Sequence, residues 1–171
     1  MLAAFLFLRP VWPQGAAQPG TPPPPAATTA AVPQPASPSA PLLLPDDPAA
    51  LLGLGLAEVW ARFGAPDKVL VSRGDEAWQD DVVFAYEKAV SLYWSVDRLW
   101  QLRFGAGYAG SVYGIFVGDA AEKVVSTLGT PYFRDDSNLV FRLAYRGYPV
   151  RLRTAIAAGK VTDIYVYRAD F

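Results

Sequence analysis

Thirteen of the sixteen prolines lie at or before Pro48, and Arg9 is the only charged residue before Asp46. This split confines any packed fold to the second part of the chain. A stretch of Pro, Ala, Ser and Thr with no charge and few large apolar residues cannot bury enough surface to offset the entropy of ordering it. From about Leu51 onward, aromatic, branched and charged residues are mixed as a core with a solvated surface requires. Residues 46–171 are therefore the expected domain, a size that supports one hydrophobic core.

Residues 18–45 read as a proline- and alanine-rich linker, including the run Pro22 to Pro25. Such composition favours extended polyproline II and acts as a semi-rigid spacer. Residues 1–17 read as a signal peptide or an N-terminal hydrophobic segment. Leu2 to Leu8 is apolar throughout, and Gly15-Ala16-Ala17 before Gln18 offers the small residues of a cleavage site, although Met1 alone stands where basic residues are usual. The apolar run is well short of the ~20 residues of a spanning helix. Membrane contact is expected only through an uncleaved N-terminal segment, and the location is expected to be periplasmic or otherwise extracytoplasmic.

Composition narrows the chemistry. The formal charge of −1 lacks the basic excess that phosphate backbones attract, so nucleic acid is not an expected partner. The chain has no Cys and no His, which removes thiolate nucleophiles, Cys/His zinc sites and imidazole acid–base catalysis together. No enzyme activity, cofactor or metal is expected.

The segment Gly53 to Pro66 aligns without a gap on Gly118 to Pro131, with Gly, Val, an apolar residue, Gly and Pro recurring. Downstream, Asp97 to Leu102 matches Gly159 to Ile164 in the same way. Each copy predicts a short amphipathic helix. In the first, Asp47 and Pro48 form the start, Leu52, Leu56, Val59 and Phe63 the apolar stripe, and Gly64 with Pro66 the stop. In the second, Asp119 caps with Glu122 three residues on, Ala121, Val124, Val125 and Leu128 face inward, and Gly129 with Pro131 ends the helix. Alternation then predicts strands at 82–87, 91–96 and 99–104 in the first copy, and at 139–145, 148–155 and 161–168 in the second. Trp100, Leu102 and Phe104 are expected on one face. The fold class read from this pattern is α+β: two tandem units of a helix plus three antiparallel strands, at about 46–104 and 112–168, with helices packed on one face of the sheet.

The order of Gly, apolar residue, Val and Gly-x-Pro, followed by strands and a turn into Lys160-Val161-x-x-Ile164, resembles outer-membrane assembly lipoproteins of the SmpA/OmlA type and the related β-lactamase-inhibitor-protein fold. The resemblance covers about Gly53 to Arg168. It implies a small envelope protein that works by binding other proteins. The sequence departs from that pattern in having no lipoprotein Cys and in carrying Asp97-Arg98-Leu99 where Gly-Lys-Val is typical.

The acidic cluster Asp75, Glu76, Asp80 and Asp81 has no calcium-loop spacing and reads as a solvated loop, as does Asp135-Asp136. Arg142, Arg146, Arg151, Arg153 and Arg168 fall on neighbouring expected strands, and Arg151 and Arg153, two apart, share a sheet face. That stripe suits an anionic glycan, a headgroup or an acidic protein, or simply keeps an exposed face soluble. Strand alternation cannot bury both Tyr93 and Trp94, and Trp60 lies at the edge of its helical stripe, so some aromatic residues are expected to face outward as anchors. The candidate binding surface is therefore Trp60, Tyr93, Trp94, Arg151 and Arg153. The expected function is a non-enzymatic envelope module that binds a protein partner, with a cell-wall glycan or small anionic ligand as the alternative.

Overall fold

The computed structural model describes residues 44–76, 80–87 and 89–171. The expected leader, and the linker up to residue 43, lie outside the described residues. A 3-10 turn at Pro48–Leu51 precedes helix α1 (Leu56–Phe63) and strands β1 (Lys68–Ser72), β2 (Asp81–Tyr86), β3 (Val90–Ser95) and β4 (Arg98–Phe104). Helix α2 (Ala121–Leu128) follows, then β5 (Phe133–Arg134), β6 (Asn138–Arg142), β7 (Val150–Ala157) and β8 (Lys160–Arg168). All the strands belong to one antiparallel sheet in the order β1-β2-β3-β4-β8-β7-β6-β5.

This sheet overturns the expected pair of three-strand units. β4 and β8 pair directly, from Gln101 opposite Tyr167 to Phe104 opposite Ile164. The boundary drawn between two units thus runs through the middle of a continuous ladder. Joining there removes two apolar strand edges that separate units would have exposed. The count was also wrong, because β1 and β5 are additional strands. β1 carries Val69, Leu70 and Val71 in succession and shows no alternation, while β5 is only two residues long. With eight strands against two eight-residue α-helices among the described residues, the domain is predominantly β.

The helices also begin differently from expectation. Asp47 does cap, accepting a hydrogen bond from the Ala49 amide at 3.1 Å, but the element it starts is the 3-10 turn. Gly53, at φ +87°, breaks the chain before α1, whose entry is held by the Gly55 amide donating to Glu58 Oε2 at 2.7 Å. In α2 the N-cap is Ala120 and not Asp119, whose carboxylate instead accepts from the Phe116 amide and from Lys123 Nζ.

Alternation along the strands separates two faces. Leu92, Trp94, Leu102, Phe104, Leu139, Phe141, Leu152, Ile164 and Val166 are buried together with Val59 and Phe63 of α1 and Val124 of α2. Both helices therefore lie on one side of the sheet. The opposite face is open among the described residues, and it holds most of the functional candidates.

Candidate functional site

The strand registers set the open face out in rows. One row runs Tyr93, Gln101, Tyr167, Arg151, Arg142 across β3, β4, β8, β7 and β6. The next runs Ser91, Arg103, Tyr165, Arg153, Val140, Phe133 from β3 to β5. Tyrosines and arginines thus occupy adjacent positions on one face of the antiparallel sheet, where directly opposed side chains touch.

The guanidinium groups lie on aromatic rings. Arg153 Cζ is 4.0 Å from the ring centre of Tyr165. Arg142 and Arg151 lie at 3.9 and 5.3 Å from that of Tyr132. Stacking of this kind satisfies the flat face of a guanidinium and leaves its N–H edge for a further acceptor. No carboxylate of the described residues makes an ion pair with Arg142, Arg151 or Arg153. Arg103 differs, since it is bridged to Asp163 at 2.6 Å. Arg146 and Arg168 do not join the face: Arg146 bridges Asp47, and Arg168 bridges Asp170 at 2.8 Å.

At the β3 side, a bulge decides which aromatics face outward. Tyr93 pairs with Gln101 but Trp94 pairs with Leu99, leaving Trp100 as the extra residue. The bulge puts Leu99 and Leu102 in the core and turns Trp100 out, correcting the expectation that Trp100 shares the face of Leu102 and Phe104. The Trp100 ring meets Tyr93 edge-on at 6.5 Å, stacks on Phe171 at 6.0 Å, and donates Nε1–H to Asp81 Oδ1 at 3.0 Å. Burial pushes the Asp81 carboxyl above its ordinary range, opposed by the Trp100 hydrogen bond and reinforced by nearby Asp80. Burial likewise raises the Tyr93 phenol, opposed by the neighbouring Arg103 guanidinium, which donates to it. A cavity of about 560 Å³ opens beside Trp100, lined by Arg73, Asp75, Asp81, Ser95 and Phe171 among others.

Of the five residues expected to form the binding surface, the structure brings three together: Tyr93, Arg151 and Arg153. Trp94 does not belong there. It is 1% exposed and packs against Phe84 at 5.2 Å in the core, because its strand neighbour Tyr93 occupies the open face. Trp60 is half-exposed, but its ring packs edge-on against Phe84 on the helix-bearing side, away from the arginines. The residues that sequence reasoning did not select are Trp100, Tyr132, Tyr165, Tyr167, Arg103 and Arg142. For Arg142 the signal existed in the arginine stripe; for Trp100 it did not, because a bulge leaves no mark in the alternation.

The acidic residues hold the scaffold. Asp80 bridges Arg73 and accepts from the Gly74 amide, while Asp135 accepts from the Ser137 amide, which with Asn138 holds its carboxyl below the usual range.

No family model and no curated protein matches the chain. Among solved structures, it is similar to an extracellular protein containing a SCP domain from Bacillus anthracis, with 11% identity and a TM-score of 0.49 over 72% of this chain. It is also similar to a cysteine-rich secretory protein from Staphylococcus aureus, with 12% identity and a TM-score of 0.46 over 71% of this chain. The match spans 46% of the length of each of those proteins. The expected kinship with SmpA/OmlA and β-lactamase-inhibitor-protein folds is not upheld: no family model matches, and the sheet is one continuous ladder without two tandem units.

Proposed function

We propose that this chain is an exported, non-catalytic binding module whose open sheet face docks an acidic surface on a partner protein outside the cytoplasm. The observation that carries the reading is the set of three guanidinium groups, Arg142, Arg151 and Arg153, lying over tyrosine rings and making no direct ion pair among the described residues. Two of them stand directly opposite each other on β6 and β7, an arrangement that costs stability through like-charge repulsion. An incoming anion turns that cost into binding energy.

The surrounding residue types support a protein partner. Trp, Tyr and Arg dominate the energetically decisive parts of protein interfaces, where rigid aromatic surface and forked donors act together. The face supplies all three at Trp100, Tyr93, Tyr165, Tyr167 and the arginines. A catalytic reading finds little to build on. The face's carboxylates, Asp81 and Asp163, are engaged with Trp100 and Arg103, and the chain has no His or Cys to move a proton or attack a carbonyl. Export rests on the apolar run Leu2 to Leu8, the small residues before Gln18, and the charge-free proline-rich stretch that follows.

The test compares the immobilised full chain with Arg142→Gln/Arg151→Gln/Arg153→Gln in capture from the extracellular or envelope fraction of the source cells. Acidic proteins held by the unaltered chain and lost from the triple variant support the reading. Equal capture by both refutes it, and capture of anionic polysaccharide alone transfers the arginine face to the glycan alternative.

A further inference from the structure

β1 ends the sheet, and its outer edge faces no strand of the described residues. It pairs with β2 on one side only, from Lys68 opposite Ala85 to Ser72 opposite Asp81. All five of its residues are exposed, and Val69, Leu70 and Val71 are each at least 50% accessible. Long apolar edges are normally shortened, charged or bulged to prevent pairing with another chain. The other edge of this sheet follows that practice, since β5 has only two residues. β1 does not.

We infer that β1 pairs antiparallel with β1 of a second copy of this chain, about a two-fold axis at Leu70, to make a continuous sixteen-stranded sheet (twice the eight strands of one copy). The sequence of the strand selects this occupant. Centred on Leu70, the pairing sets Leu70 against Leu70, Val69 against Val71, Lys68 against Ser72, and Asp67 against Arg73. Every apolar side chain meets an apolar one, and the charges at the two ends meet with opposite sign. Arg73 already bridges Asp80 but remains largely exposed, so an edge of its guanidinium is free for a second carboxylate.

Other registers are worse. Symmetric antiparallel pairing can slip only in steps that keep facing residues on the same phase of the ladder. Moving the axis to Val71 opposes Asp67 to Asp75, and moving it to Val69 opposes Lys68 to Leu70. Parallel pairing in register would oppose Lys68 to Lys68 and Asp67 to Asp67. The two-fold axis stands perpendicular to the sheet, so both open arginine faces would point the same way and present a bivalent surface. The pairing does not depend on the binding role of that face. With only five residues a side it lies at the small end of specific interfaces, which makes the dimer weak and concentration-dependent.

The absence of native cysteine makes the test direct. Leu70→Cys in the full chain introduces a single thiol that lies opposite itself in the dimer, at a separation of about 5 Å between Cα atoms, within disulfide range. Val69→Cys places its two thiols on a diagonal. Under mild oxidation the Leu70→Cys chain is expected to cross-link about tenfold faster than the Val69→Cys chain. Sedimentation of the unaltered chain is expected to show dimer forming with concentration, and Leu70→Lys, with unchanged circular dichroism, is expected to remain monomeric. A chain that stays monomeric at every concentration, or equal cross-linking at 69 and 70, overturns the inference.

Discussion

Arg142 and Arg151 face each other directly across the β6–β7 ladder, and the ring of Tyr132 lies within 3.9 and 5.3 Å of their two guanidinium carbons. Two like charges in the closest cross-strand position oppose folding, and a single aromatic ring shared between them offsets only part of that repulsion. Arg142→Glu replaces the clash with an ion pair. Thermal or urea unfolding is expected to show a gain of about 0.2–1 kcal/mol, while affinity for an acidic partner falls. A loss of stability in that variant would show that the arginine pair is not strained.

Trp94 and Tyr93 are adjacent in β3 but lie on opposite faces. Trp94→Ala removes a ring that is 1% exposed and is expected to cost about 3–5 kcal/mol in urea unfolding. Tyr93→Ala is expected to cost much less and to weaken partner binding instead. The reverse ranking would place the faces of β3 wrongly.

Thr154 is fully buried on the core side of β7, and its hydroxyl has no hydrogen-bond partner among the described residues. Thr154→Val keeps the shape and removes the unsatisfied group. The expected gain is about 1–2 kcal/mol in unfolding free energy. No gain would mean that the hydroxyl is satisfied in solution.

Tyr86 donates its phenol hydroxyl to the Gly64 carbonyl at 3.2 Å, and burial, with a smaller contribution from Asp67, pushes its pKa up to about 12. The unfolded phenol ionises near its model value of 10.0, so between these values the folded state holds the proton that the unfolded state has released. Stability from this group is therefore complete below pH 10 and falls as pH rises toward about 12. Urea midpoints measured across that window are expected to drop, and Tyr86→Phe is expected to flatten the slope. An unchanged slope would place the titration elsewhere.

The sequence made the polar side of the fold easier to read than its topology. Arg151 and Arg153 could be assigned to one face because side chains two apart in a strand must share it. The position of β4 beside β8 had no such local signature, since Gln101 to Phe104 and Ile164 to Tyr167 are paired by the global fold alone. Trp100 departs from its expected face for a different reason: one extra residue in the ladder inverts the alternation from that point toward Leu99. β1 is exposed on both faces, so the half-buried pattern that reveals strands is absent from its sequence.

The most direct test of the binding account uses a fluorescent polyglutamate peptide as the acidic probe and follows its anisotropy with the full chain at increasing salt. The account predicts binding that weakens steadily as salt rises, and a drop of at least about tenfold in affinity for Arg142→Gln/Arg151→Gln/Arg153→Gln. Absence of binding at low salt, or equal affinity of the triple variant, would contradict it.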